Sequence, residues 1–174
     1  MSDEARLLAE IHAARALMRA SETGRGAAAS PSAASLWAHA GRAPDGPVDL
    51  AVVRAIRADP ATARRYRALL AARAVAHAPL AAAASDGAIT SRRVGACTIE
   101  ILPASEDGPP LLVLRGAEAR PPRAIEAMLG DESVRLALPP PSDGAILIAL
   151  DPAVPEAARL GAMLRDPACA VFLL

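Results

Sequence analysis

Ala127-Met128-Leu129-Gly130-Asp131 recurs 35 residues further along the chain as Ala162-Met163-Leu164-Arg165-Asp166. The similarity extends in both directions, because an apolar run precedes each copy (111–114 and 146–149) and another follows it (134–138 and 169–173). Short apolar runs bounded by turn residues are typical of buried strands, and the repeated segment has helical spacing. The two copies, 110–139 and 145–174, therefore each predict a strand, a short helix and a strand. The predicted bounds are 111–115, 122–129 and 134–138 in the first copy and 145–150, 155–164 and 170–174 in the second.

The predicted order of elements, β-α-β-β-α-β, matches the split β-α-β arrangement called ferredoxin-like. Another strand is expected over 94–102, where Cys97, Ile99 and Ile101 alternate with polar residues. Adjacency favours a hairpin between this strand and 111–115. Two arrangements stay open: the additional strand lies at an outer edge of a ferredoxin-like sheet, or the sheet is an open mixed one of different order.

The N-terminal half is predicted to be helical. Residues 1–22 fit an amphipathic helix, 23–34 a flexible linker rich in Gly, Ala and Ser, and 35–84 a helical region. Within that region the pair Asp59-Pro60 is a start signal for a helix over 60–77. With 92–174 as an α/β sheet domain, the expected fold class is α+β: a helical half followed by a mixed sheet built from the duplicated unit.

The composition indicates a globular chain with a thin core. Of the 174 residues, 53% are hydrophobic but only 2% are aromatic, so small side chains must fill much of the interior. All 19 basic residues are arginine, which we interpret as the signature of a GC-rich bacterial genome. The net charge is zero, yet residues 1–93 carry 13 arginines against 8 acidic residues and 94–174 carry 6 against 11. A basic half therefore precedes an acidic one.

We expect a cytoplasmic protein that does not cross a membrane. The start Met-Ser-Asp-Glu has no basic and apolar leader, and the most apolar window, 68–84, is interrupted by Arg73, His77 and Pro79. Cys97 and Cys169 are accordingly expected to be free, buried thiols.

Few residues are arranged for chemistry. The three histidines and two cysteines occur singly, without metal-ligand spacing, and no Gly-x-Ser-x-Gly turn is present. Gly24-Arg25-Gly26 is the nearest approach to a phosphate-binding loop, but no predicted strand precedes it. Asp131 and Asp166 follow the two predicted helices and are interpreted as turn formers. We expect no metal, no cofactor and no catalytic residue.

Three places are candidates for binding a partner. The first is the apolar face of the N-terminal helix, the second is an arginine cluster at 54–67, and the third is the apolar C-terminal strand, which is open to pairing if it lies at a sheet edge. The candidate residues are Leu7, Ile11, Met18, Arg64, Arg65, Arg67, Val171, Phe172 and Leu173.

The stretch 49–70, in which short helices precede Asp-Pro and an Ala/Arg/Leu helix, is similar to helical segments of bacterial anti-sigma regulators. The zinc-ligand motif of many such proteins is missing, so this resemblance transfers no residue role and no activity.

The leading hypothesis is a non-catalytic regulatory or accessory subunit that binds another protein, a subunit of the same complex. A nucleic-acid-binding regulator that uses the helices of Arg54 to Arg67 is the second hypothesis, because arginine clusters contact phosphates. The third is an enzyme of unrecognised type, for which a deep pocket lined by Asp, Glu or Arg between the sheet and the helices would be the sign.

Overall fold

A computed structural model describes residues 30–78, 89–106, 108–117 and 120–174. The predicted helix over 1–22 and most of the linker predicted over 23–34 lie outside the described residues.

Three short helices begin the described chain: α1 (Ala33–Gly41), α2 (Leu50–Ala58) and α3 (Pro60–Arg73). Each starts at a residue whose side chain accepts hydrogen bonds from the first free backbone amides, namely Ser32, Asp49 and Asp59. Asp59 also receives a bond of 2.6 Å from the Thr62 hydroxyl, and these bonds lower the pKa of its carboxyl group. Asp59 therefore both ends α2 and starts α3.

Eight strands and a fourth helix follow. The strands are β1 (Ala76–Ala78), β2 (Ser91–Val94), β3 (Cys97–Leu102), β4 (Leu111–Arg115), β5 (Ala124–Leu129), β6 (Glu132–Ala137), β7 (Ala145–Ala149) and β8 (Ala170–Leu173), and α4 (Pro155–Leu164) connects β7 to β8. One antiparallel sheet, the inner sheet, has the order β1-β8-β5-β6, and the other, the outer sheet, has the order β2-β3-β4-β7. The fold is α+β.

The inner sheet lies between two layers. On one face, residues of β5 and β8 such as Ile125 and Val171 share a core with the outer sheet and with Leu160 and Leu164 of α4. On the other face, a second core joins the helices to the sheet; it consists of Leu36, Ala40, Val52, Ile56, Ala63, Tyr66, Leu70, Met128, Ala170 and Phe172. Strand alternation produces this division, because successive side chains point to opposite faces.

The helix predicted over 122–129 is wrong. Residues 124–129 form β5, which pairs with β6 on one side and β8 on the other. Ile125, Met128 and Leu129 have the spacing of a helix face, whereas Ile125, Ala127 and Leu129 have that of a strand. Gly130-Asp131, with Gly130 at φ +61°, joins two apolar runs as a two-residue turn. Pairing with strands on both sides outweighs the weak helix preference of this segment.

The duplicated unit and the ferredoxin-like arrangement are not confirmed. The first repeat contains β4, β5 and β6, whereas the second contains β7, α4 and β8, so the matching segments 127–131 and 162–166 have unrelated conformations. Within the strand expected over 94–102, residues 97–102 form β3, and the turn at Gly95 joins β3 to β2 in a hairpin. The predicted pairing with 111–115 is confirmed.

The helix predicted over 60–77 ends at Arg73, because residues 76–78 pair as β1 with β8. Several other segments are confirmed. These are the strands at 111–115, 134–138, 145–150 and 170–174, each within two residues of its observed bounds, and the helix at 155–164.

Candidate functional site

The structure places the arginine cluster on the solvent side of α2 and α3. Arg54 and Arg57 are exposed on α2, Arg64 and Arg65 are exposed on α3, and Arg67 is half-buried. The inward positions of the same helices, among them Ile56 and Tyr66, carry the apolar packing, so helical periodicity leaves the arginines facing solvent. We call Arg54, Arg57, Arg64 and Arg65 the basic face.

The basic face forms no close ion pair within the described part of the chain, although the positive charge of Arg65 helps to lower the pKa of Asp59. Arg65 donates a long hydrogen bond to the Thr62 hydroxyl, at 3.4 Å, and none of the four arginines lies within 4 Å of a carboxylate oxygen of the described residues. Leu50 precedes Arg54 and Arg57 at helical spacing and is 61% exposed, so an apolar side chain lies along the same stripe. The surface combines cationic and apolar contacts.

The other predicted partner-binding residues have different locations. Val171, Phe172 and Leu173 are buried in β8, which is paired with β1 and with β5, so the alternative of an open sheet edge is wrong for this strand. Leu7, Ile11 and Met18 lie outside the described residues, and their role stays a prediction.

Sequence analysis missed an ionic network that connects the helical layer to the inner sheet. Glu126 of β5 is 0% exposed and lies opposite Arg135 of β6, whose Nε and Nη2 atoms are each 2.6 Å from Glu126 Oε2. Tyr66 of α3 donates a hydrogen bond of 2.8 Å to the other carboxylate oxygen. The arginine also donates to two α1-side carbonyls, those of Ala40 and Arg42, at 3.0 and 2.7 Å.

Burial and charge shift the pKa values of two side chains in this network. Burial, then the positive charges of Arg42 and Arg135, lower the pKa of His39 to about 4, so the imidazole is neutral at pH 7. Burial and the adjacent Glu126 carboxylate raise the pKa of Tyr66 above its ordinary value, so the phenol keeps its proton. The buried groups are thereby fixed as one neutral base, one phenol and one ion pair.

The network borders on a cavity of about 430 Å³ between the helices and the inner sheet. Its lining includes Arg42, Arg73, Arg123 and Arg135, but no Asp, Glu or His. A guanidinium group does not release its proton at physiological pH, so the lining side chains offer hydrogen-bond donors for an anion and none of them is suited to general acid or base catalysis. The cavity has the position and the arginines expected for the enzyme hypothesis, but no Asp, Glu or His side chain is among its described lining residues.

Other reactive groups are also placed in structural roles. Cys97 and Cys169 are buried and are not joined in a disulfide, and burial raises the pKa of the Cys169 thiol. Asp166 accepts a hydrogen bond from the amide of Ala168, which confirms its interpretation as a turn former. Within the described ranges, no three His, Cys, Asp or Glu side chains converge on a possible metal position.

Comparison of the chain with protein-family models, with curated proteins and with solved structures finds no match. No helix in the described part of the chain is long and apolar enough to span a membrane.

Proposed function

We propose that this protein is a non-catalytic accessory subunit that binds an acidic surface of another protein through its basic face. The observation that carries the proposal is the exposure of Arg54, Arg57, Arg64 and Arg65 on two adjacent helices, without a carboxylate partner among the described residues. Opposite charges across an interface accelerate association and select the partner. The occupant of the basic face is therefore an Asp- and Glu-rich surface.

A protein partner fits this surface better than a nucleic acid. Arg is enriched at protein interfaces together with apolar side chains, and exposed Leu50 supplies such a contact beside Arg54. Base stacking, by contrast, needs exposed aromatic rings, and Tyr66 is fully buried while the Trp37 ring lies under the Arg73 guanidinium. The basic face therefore offers single-stranded nucleic acid contacts to its phosphates, but within the described part of the chain it offers no aromatic ring for the bases to stack on.

The absence of a catalytic role is part of the proposal. The buried His39, Tyr66 and Glu126 are held in a network whose hydrogen bonds join α1, α3, β5 and β6. These groups support the fold, and the polar side chains that line the cavity beside them are all arginines, which are hydrogen-bond donors.

Affinity capture with purified protein tests the proposal. The full chain is cross-linked in a lysate of its native host, captured partners are identified by mass spectrometry, and the leading partner is purified for binding measurements. We expect the variant Arg64→Glu/Arg65→Glu to weaken binding of that purified partner at least tenfold, corresponding to about 1.4 kcal/mol. The matched control is Arg159→Glu, which reverses an exposed arginine on α4, away from the basic face.

Equal loss of binding in both variants, or no loss in either, would contradict the role of the basic face. A parallel titration with mixed-sequence DNA and RNA measures the alternative. Affinity that falls steeply with salt and depends on Arg64 and Arg65 would replace the protein partner with a nucleic acid.

A further inference from the structure

We propose that the arginine-lined cavity is a binding site for the phosphate group of a small molecule. The cavity is separate from the basic face and is enclosed by the last residues of α1 and α3, the start of β5, and β6. Its lining is Ala40, Gly41, Arg42, Ala43, Pro44, Arg73, Arg123, Ala124, Arg135 and Leu174.

Charge is the first argument for an anion. Glu126 neutralises Arg135, but Arg42, Arg73 and Arg123 form no ion pair with any described residue. Three guanidinium groups without an ion pair among the described residues therefore share one cavity. The Arg42 Nε atom is also buried without a hydrogen-bond partner in the described part of the chain. Buried donors are nearly always satisfied in folded proteins, so this guanidinium group has unused capacity for an acceptor.

Preorganisation is the second argument. Arg42 Nη1 is held by the His39 carbonyl at 2.8 Å and by the Tyr66 hydroxyl at 3.3 Å. The Arg73 guanidinium lies 5.0 Å from the centre of the Trp37 ring. It also packs closely over Gly41, where an added Cβ atom would lie 3.1 Å from Arg73 Cζ. Two of the three unpaired arginines are thus positioned before a ligand arrives, which lowers the cost of binding.

The size and chemistry of the cavity favour a phosphate group. A phosphate dianion presents three terminal oxygens to three guanidinium groups, and arginine binds phosphate through paired N–H donors. A volume of about 430 Å³ is within the range of small-molecule sites and larger than a phosphate ion needs. Because no side chain among the described lining residues is a proton acceptor, we expect the site to bind its ligand without acid or base chemistry by these side chains.

Trp37 makes the proposal directly measurable. It is the only tryptophan of the chain, it is 50% exposed, and Arg73 covers its ring. An anion bound by the Arg73 guanidinium changes the charge beside the indole and therefore its environment. We therefore expect a saturable change in tryptophan emission when the full chain is titrated with inorganic phosphate or with glycerol phosphate, measured against chloride at equal ionic strength, with calorimetry as the second readout.

The variant Arg123→Gln should weaken phosphate binding at least tenfold, because it removes an exposed charge of the cavity, and Arg64→Gln on the basic face should leave it unchanged. Urea unfolding of both variants shows that each remains folded. Tighter binding of glycerol phosphate than of inorganic phosphate identifies a phosphate ester as the ligand, and equal binding identifies the free ion.

Three results would overturn the proposal. The first is the lack of any saturable signal by fluorescence and calorimetry up to about 10 mM of either phosphate, well above the range in which most specific small ligands bind. The second is phosphate binding that Arg123→Gln leaves intact, which would place the anion elsewhere. The third is tighter binding of succinate, which would assign the cavity to dicarboxylates. None of these results depends on the proposed protein partner, whose capture is tested with variants of the basic face.

Discussion

Glu126 and Arg135 lie directly opposite each other on β5 and β6, with Arg135 Nη2 2.6 Å from Glu126 Oε2 and with side chains that are 1% and 3% exposed. Two charges buried at this depth lose their hydration, and the loss is offset only if every remaining donor and acceptor is bonded. Here Tyr66 and two backbone carbonyls complete the bonding. The pair therefore specifies how the helices sit on the inner sheet.

Replacing Arg135 by leucine should reduce the free energy of unfolding by about 3–5 kcal/mol, because Glu126 would stay buried without its counter-ion. Urea denaturation measures the change. The matched control is Arg115→Leu, since Arg115 pairs with Glu100 at 3.8 Å with both side chains exposed, and this change should cost about 1 kcal/mol or less. Equal losses in the two variants would show that the buried pair has no special role.

Tyr66→Phe should lower stability by about 1.5–3 kcal/mol, because it removes a hydrogen bond to a buried charged group while keeping the ring that fills the core. Trp37→Phe is the control, because its half-exposed ring contributes mainly the contact with Arg73 and should cost about 1 kcal/mol or less. Chemical denaturation followed by circular dichroism compares them. A neutral Tyr66→Phe would contradict the network.

Acid should destabilise the protein through His39. Its pKa is about 4 in the folded chain and about 6.5 in the unfolded chain, so the unfolded state binds the extra proton first. Stability from this group is complete above pH 6.5 and is lost as the pH falls toward 4, by up to about 3 kcal/mol. Stability measured across this window should fall less steeply in His39→Gln than in the wild type, whereas His77→Gln, which changes an exposed histidine, should follow the wild type.

Two glycines with positive φ angles should respond differently to alanine. At Gly116, with φ +80°, an added Cβ atom would lie 2.9 Å from the Ala96 carbonyl oxygen, whereas at Gly130, with φ +61°, nothing lies within 4 Å. Gly130→Ala should cost about 1 kcal/mol from the backbone conformation alone, and Gly116→Ala about 3 kcal/mol because the neighbouring strand must also shift. Thermal unfolding of both variants measures the two losses of stability. Equal losses would show that the contact with Ala96 is unimportant.

Local signals in the sequence were sufficient for the elements with clear caps or alternation. The pair Asp59-Pro60 marks the start of α3, and the alternation at Cys97, Ile99 and Ile101 marks β3. In β5, however, 124–128 are all buried, because the strand is covered on both faces. A strand covered on both faces loses its alternation and cannot be distinguished from a short buried helix by periodicity.

The site was predicted in part. The exposed arginines followed from helical spacing, but the contact of Glu126 with Arg135 required the hairpin turn at Gly130-Asp131 to be recognised. That turn also sets the register, and a shift of one residue would turn Arg135 to the opposite face. The cavity was unreadable for a different reason: Arg42, Arg73 and Arg123 are far apart in sequence and meet only when three elements pack.

The hydrogen bonds from Arg135 to the carbonyls of Ala40 and Arg42 also affect how this chain can evolve. The donor, Arg135, lies on β6, and the two acceptor carbonyls lie at the end of α1. If recombination replaced only the helices, the buried Arg135 guanidinium would lose the two carbonyl acceptors that its position fits. We therefore expect the helical layer and the inner sheet to be inherited together, with substitutions near Arg135 and near the end of α1 constraining each other.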